Sequence, residues 1–215
     1  MRTIYIILIV LLGGIIFLSQ GVALEGESGG PLITTLQEQR VVEWRKGRDE
    51  FLKTHERSPL TPGKKRNFNG LKYYPFDPKY VFSGKIECYT PYVIFNDPKY
   101  YATFLTNKGT TKRYIRYGRF HFRLGDKDYA IEIYKSILSD FLFIPFMDKT
   151  NGKETYEGGR YIDAEMLVGH KIVLEFNMAY NPPCAYNDKL VCVLPPRENI
   201  LECPIPAGEK NFKAF

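Results

Sequence analysis

Hydrophobic positions along the chain fall into three regimes. Residues 4–18 form an apolar run interrupted only by Gly13 and Gly14, apolar on every face rather than on one. Between residues 36 and 55, Val41, Val42, Trp44, Phe51 and Leu52 recur at roughly helical spacing among Glu, Lys and Arg, and Ser58-Pro59 ends the pattern. This predicts one amphipathic helix. Beyond it, short apolar stretches alternate with turn signals in the rhythm of an antiparallel sandwich or barrel.

The clearest hairpin is predicted at 118–134. Phe120, Phe122 and Leu124 alternate with Arg119, His121 and Arg123, then Gly125-Asp126-Lys127 turns the chain, and Tyr129, Ile131 and Ile133 alternate with Ala130 and Glu132. One face is apolar and the other cationic, with Glu132 available as a cross-strand partner. Further strands are expected at 80–88, 92–95, 101–106, 112–117, 141–146 and 171–176. The tetrapeptide Asp-Pro-Lys-Tyr at 77–80 and again at 97–100 hints at two related hairpins. The fold class expected is mainly β (α+β): an antiparallel β-barrel or sandwich preceded by one N-terminal α-helix, with the choice between barrel and sandwich open.

The apolar run follows Arg2 and leads into Ser19-Gln20 and the small residues Gly21-Val22-Ala23. That is the layout of a signal peptide cleaved after Ala23. Residues 4–24 also approach the roughly 20 positions needed to span a bilayer, so an uncleaved membrane anchor is the alternative. Either reading exports the domain, which is then periplasmic or extracellular, or anchored and facing outward. Residues 25–35, with Gly26, Gly29, Gly30 and Pro31, read as a linker, and 36–215 as a single β-rich domain.

The 215 residues suffice for one real core, and the 16 tyrosines and 15 phenylalanines against one tryptophan favour pleated, half-buried surfaces. The net charge of +6 permits an anionic partner without implying one. Arg113, Arg116, Arg119 and Arg123, interleaved with Tyr114, Tyr117, Phe120 and Phe122, imitate a nucleic-acid surface. Export argues against nucleic acid as partner, and a solvated strand face explains the alternation. Membrane contact is expected only through the N-terminal segment.

Residues 141–163 and 177–210 are dense in motif. The phrases are Phe146-Met-Asp148-Lys-Thr150-Asn-Gly152-Lys-Glu154-Thr155-Tyr156, Gly159-Arg160-Tyr161, Phe176-Asn177-Met-Ala179-Tyr180-Asn181-Pro182-Pro183-Cys184-Ala-Tyr186, Leu194-Pro195-Pro196-Arg-Glu198-Asn199 and Ala207-Gly208-Glu209-Lys210. Together they resemble the domain-of-unknown-function family 1684. Arg45 to Phe51, Ser58-Pro59-Leu60, Phe68-Asn-Gly70-Leu71 and Arg113-Tyr114-Ile-Arg116-Tyr117-Gly118 extend the likeness to residues 38–212. The resemblance implies a shared fold and a shared site but no activity.

Candidate chemistry clusters in these phrases. Asp148, Glu154, Arg160 and Tyr161 are the catalytic candidates, since a carboxylate pair divides acid and base roles when one is desolvated and an arginine clamps an anion bidentately. The alternative is that Glu154 and Arg160 pair to brace a loop. Thr155, Asn177, Tyr180, Asn181 and Asn199 are candidate binding residues, or else groups that satisfy buried backbone. Cys184 and Cys192 are the expected disulfide in an oxidising compartment, with zinc or thiol chemistry as competing uses of the cysteines. No cofactor or metal is assigned.

Three functions are then in play. The first is an extracytoplasmic binding or accessory domain with a polar pocket built from Glu154, Arg160, Tyr161, Asn177, Tyr180 and Asn181, its partner an unknown small molecule or envelope component. The second is a hydrolase using Asp148 or Glu154 with Arg160. The third is a structural envelope protein whose motif residues brace turns.

Overall fold

The computed structural model describes residues 31–89, 100–136 and 141–212. The export segment expected at 1–24, the strand expected at 92–95 and most of the second Asp-Pro-Lys-Tyr copy lie outside these residues.

Helix α1 spans Pro31–Thr54. It begins earlier than the pattern suggested, so residues 31–35 belong to the helix and not to a linker. Proline is at home in a first helical turn, where its missing N–H has no partner to lose and its φ is already helical. Val41 and Leu52 bury to 1% exposure. Arg45 ties the helix to the sheets, donating from Nη1 to the Tyr74 carbonyl and from Nη2 to the Asn177 carbonyl, both at 3.0 Å. A short helix α2, Pro62–Arg66, is capped by Thr61. Leu52, Leu60, Phe68 and Tyr186 form a satellite core between these helices and the C-terminal segment.

Among the described residues the strands form two sheets, all pairings antiparallel. The strands are β1 (Val81–Lys85), β2 (Glu87–Cys88), β3 (Tyr101–Leu105), β4 (Thr111–Leu124), β5 (Lys127–Lys135), β6 (Leu142–Phe146), β7 (Arg160–Ala164) and β8 (Lys171–Glu175). The larger sheet runs β2-β4-β5-β6-β7, with β3 also paired to β4, and the smaller pairs β1 with β8. The sheets do not close into a barrel, and the arrangement is sandwich-like.

The expected hairpin is β4–β5, and Arg119 lies opposite Glu132 in its register. The strands expected at 112–117 and from 118 onward are one strand with a bulge between Arg116 and Gly118. Gly118 lies inside β4. A Cβ there would lie 2.5 Å from the Glu87 carbonyl oxygen and 2.6 Å from Ile86 Cγ2, so its bareness is what lets β2 approach β4. Expected strand 80–88 divides into β1 and β2 at Ile86, where the chain passes from one sheet to the other. Strand β7 was not expected, because its sequence Arg-Tyr-Ile-Asp-Ala carries a buried arginine where strand patterning calls for an apolar residue.

The principal core lies between the two sheets. Ile131, Ile133, Ile144, Phe146, Ile172, Leu174 and Phe176 are fully buried, each contributing on the order of 1.5–3 kcal/mol over exposure. Phe176 is ringed by Phe82, Phe122 and Phe146 with centroids 5.2–6.0 Å away. No helix among the described residues is long and apolar enough to cross a membrane.

Candidate functional site

The motif residues are gathered into separate buried braces, not into one open pocket. Arg160, at 0% exposure, pairs with Asp148 at 2.7 Å rather than with Glu154. Its guanidinium also donates to the Ile205 carbonyl at 2.8 Å and to the Ala207 carbonyl. Asp148 in turn accepts from the Thr150 and Ile205 N–H groups at 2.8 and 3.1 Å. With both side chains sealed, the pair fastens the C-terminal segment to β7 and offers no route to a substrate. Glu154 is exposed and accepts a hydrogen bond from the Tyr74 hydroxyl at 2.9 Å.

Four of the five expected binding residues are also enclosed and engaged. Thr155 shares a hydroxyl contact with Thr150 at 2.8 Å. Asn177 accepts from the Asp77 N–H and donates to the Asp77 carbonyl and to Glu175. Asn199 accepts from the Glu132 N–H at 2.7 Å and donates to the Glu132 and Pro145 carbonyls, stapling β5 to β6. Asn181 donates to Glu209 at 2.7 Å. Glu209, at 0% exposure, is further held by the Tyr186 hydroxyl at 2.6 Å, with Arg48 at 3.8 Å. Burial raises the Glu209 carboxyl, against the pull of Arg48 and the Tyr186 hydrogen bond.

All four cysteines are free, so the expected disulfide is not formed. The two partners are nevertheless neighbours: the Cys184 N–H donates to Cys192 Sγ at 3.1 Å, and the Tyr156 hydroxyl lies 3.7 Å from Cys184 Sγ. Hydrogen bonding from the Cys192 thiol lowers Cys184 to about 7, against burial.

The aromatic pair leads to an opening. Tyr161 and Tyr180 meet edge to face at 5.9 Å. The Tyr161 hydroxyl turns inward to the Val193 carbonyl at 2.5 Å, whereas that of Tyr180 donates to Asp163 at 2.6 Å. Asp163 lines a cavity of about 720 Å³ between α1 and the β7–β8 edge, a volume within the range of small-molecule sites. Trp44, Phe141, Ile162, Leu167, Val173 and Met178 supply apolar wall, while Asp163, Glu165 and Glu175 share the lining with one cation, Arg40, and Arg48 and Arg45 act on Asp163 and Glu175 from outside it. Desolvation raises both Asp163 and Glu175, opposed at Asp163 by the Tyr180 hydrogen bond and at Glu175 by the Asn177 donors. On β7 only Asp163 of the lining residues stands on the face opposite the core, Ile162 and Ala164 belonging to the core face, while Val173 and Glu175 alternate along β8. Trp44 and Arg40 sit one helical turn apart on α1. Sequence reasoning missed this set because residues 160–164 read as loop.

No curated protein matches the chain. Among solved structures, it is similar to an uncharacterised protein of Haloarcula marismortui determined by solution NMR. The two are 31% identical with a TM-score of 0.63, over 83% of this chain and 96% of that one. Residues 66–210 match the family described as protein of unknown function DUF1684. The likeness expected at 38–65, including most of α1, falls outside the matched residues. The match covers all eight strands and both motif-dense segments, and the chain therefore belongs to the DUF1684 family.

Proposed function

We propose that the protein is an extracytoplasmic binding domain whose cavity between α1 and the β7–β8 edge takes a small organic cation with an apolar body. The observation that carries this reading is the cavity's lining: aromatic and aliphatic walls with three carboxylates against a single arginine. A cationic head would pair with Asp163 and Glu165 while Trp44 offers a ring face to it, and the apolar body would displace water from Leu167, Val173 and Met178. The export segment at 1–24 supports the location. In such a compartment Cys184 and Cys192, already adjacent, are the pair an oxidant would join.

The test is a thermal-shift series with primary amines of increasing aliphatic and aromatic size, each matched with the carboxylic acid of the same skeleton. The amines should raise Tm increasingly with apolar size, the acids should not, and Asp163→Asn/Glu165→Gln should abolish the difference. Equal shifts from amines and acids, or none from either, would refute the reading and favour a structural role.

A further inference from the structure

A second cluster lies beyond the cavity, where the β7–β8 turn meets β2 and β4. Cys88 Sγ lies 3.5 Å from His170 Nδ1. The Tyr117 hydroxyl, projecting from β4, is 3.4 Å from the same Nδ1 and 2.7 Å from Met166 Sδ, and it also hydrogen-bonds the Cys88 thiol. A thiol, a thioether and an imidazole thus converge on one phenol oxygen.

Two features of the backbone and packing set this apart from ordinary contact. His170 holds a positive φ of 57°, unusual for a residue with a side chain, immediately after Gly169 at 76°. Its carbonyl is fixed by the Ile86 N–H at 2.8 Å, which ties the turn to the start of β2 and holds the exposed ring beside Cys88. Met166 is 46% exposed, yet its sulfur is directed at the Tyr117 hydroxyl rather than into the core.

We propose that Cys88, Met166 and His170 form a binding site for a soft monovalent metal ion, copper(I) in the cell. Metal–sulfur and metal–nitrogen bonds of about 2.3 and 2.0 Å, at angles between tetrahedral and trigonal, place sulfur and nitrogen about 3.5 to 3.7 Å apart. The separation of Cys88 Sγ from His170 Nδ1 meets this, and the metal would replace the Tyr117 hydroxyl as the group that Cys88, Met166 and His170 share, the phenol swinging aside. Thiolate with thioether selects copper(I), whereas zinc sites draw on thiolate, imidazole and carboxylate. On binding, a Cys88 sulfur–copper bond forms, the thiol proton leaves to solvent, and copper stays copper(I), so no electron moves.

The experiment is an anaerobic titration of the reduced full chain with copper(I) against bicinchoninate. Its background is Cys184→Ser/Cys192→Ser, which removes the other adjacent thiol pair. The expected result is one copper(I) per chain, with affinity falling about 10-fold in Met166→Leu and about 100-fold in Cys88→Ser. X-ray absorption should show two sulfur neighbours and at least one nitrogen. Because Met166 is half-exposed, Met166→Leu in the otherwise natural chain reports on the site even if the background variant fails to fold. Copper(I) binding that disappears with Cys184 and Cys192, that is indifferent to Met166→Leu, or that zinc outcompetes would overturn the proposal.

Discussion

At Arg160, burial decides between two readings of one side chain. A guanidinium at 0% exposure, bonded to Asp148 and two backbone carbonyls, meets protein and not solvent. Arg160→Met should therefore cost about 3–5 kcal/mol, because Asp148 is left charged and unpaired in the interior. Urea denaturation measures that loss. Ligand-induced shifts in Tm should survive in whatever fraction still folds. The double change Asp148→Leu/Arg160→Met should recover part of the loss, but not all, since the Thr150 and Ile205 N–H groups also lose their acceptor. Cys184 poses the opposite case, a buried group with a chemical handle. Its thiol, lowered to about 7 chiefly by the Cys192 thiol, should alkylate with a pH midpoint near 7, read by mass spectrometry of the labelled peptide. Cys192→Ala should move that midpoint upward. An unmoved midpoint would mean that the thiol pair is not what lowers it.

At the scale of elements, what was legible followed from repetition. The α1 pattern and the β4–β5 hairpin each repeat a period several times, and the Arg119–Glu132 pair falls opposite as alternation requires, at 2.7 Å. Strand β7 breaks alternation at its first residue, and five residues leave no further period to outvote Arg160. Losing β7 hid the cavity, since four of its lining residues, Ile162 to Glu165, sit on that strand or just after it. The binding asparagines misled for a related reason: side chains that staple backbone inside a core have the same composition as side chains that meet a ligand, and only burial separates them. Gly159, just before β7, shows how tightly that strand is placed. Its φ is 88°, and a Cβ would stand 2.7 Å from the Phe146 carbonyl oxygen and 2.6 Å from Pro195 Cγ. Gly159→Ala should destabilise the fold by about 1–3 kcal/mol through strain and overpacking, and calorimetry should register it as a lower Tm. An unchanged Tm would mean that β7 has more freedom than its contacts allow.

Over the whole molecule, the cavity leaves a signature in stability. Desolvation by the surrounding protein holds Glu175, which is buried, and Asp163, which keeps an exposed side, above their ordinary values of 4.5 and 3.8, so the folded chain keeps protons that the unfolded chain has released. Their contribution is fully present below the unfolded values and is lost as pH rises through the folded ones. Asp163→Asn, which cannot ionise, should gain stability relative to wild type as pH goes from 4 to 7, measured as the difference in urea midpoints. Glu209, raised by burial as well, titrates in both proteins and cancels in that difference. A cation in the cavity would restore the lost stability at neutral pH, which makes ligand and pH effects opposite in sign.

The most direct test of the binding account is native mass spectrometry of the full chain recovered from cells, wild type beside Asp163→Asn/Glu165→Gln. The account predicts that wild type carries a small-molecule adduct that dissociates as a cation and that the double variant is recovered without it. An identical mass profile in the two proteins, with or without an adduct, would contradict it.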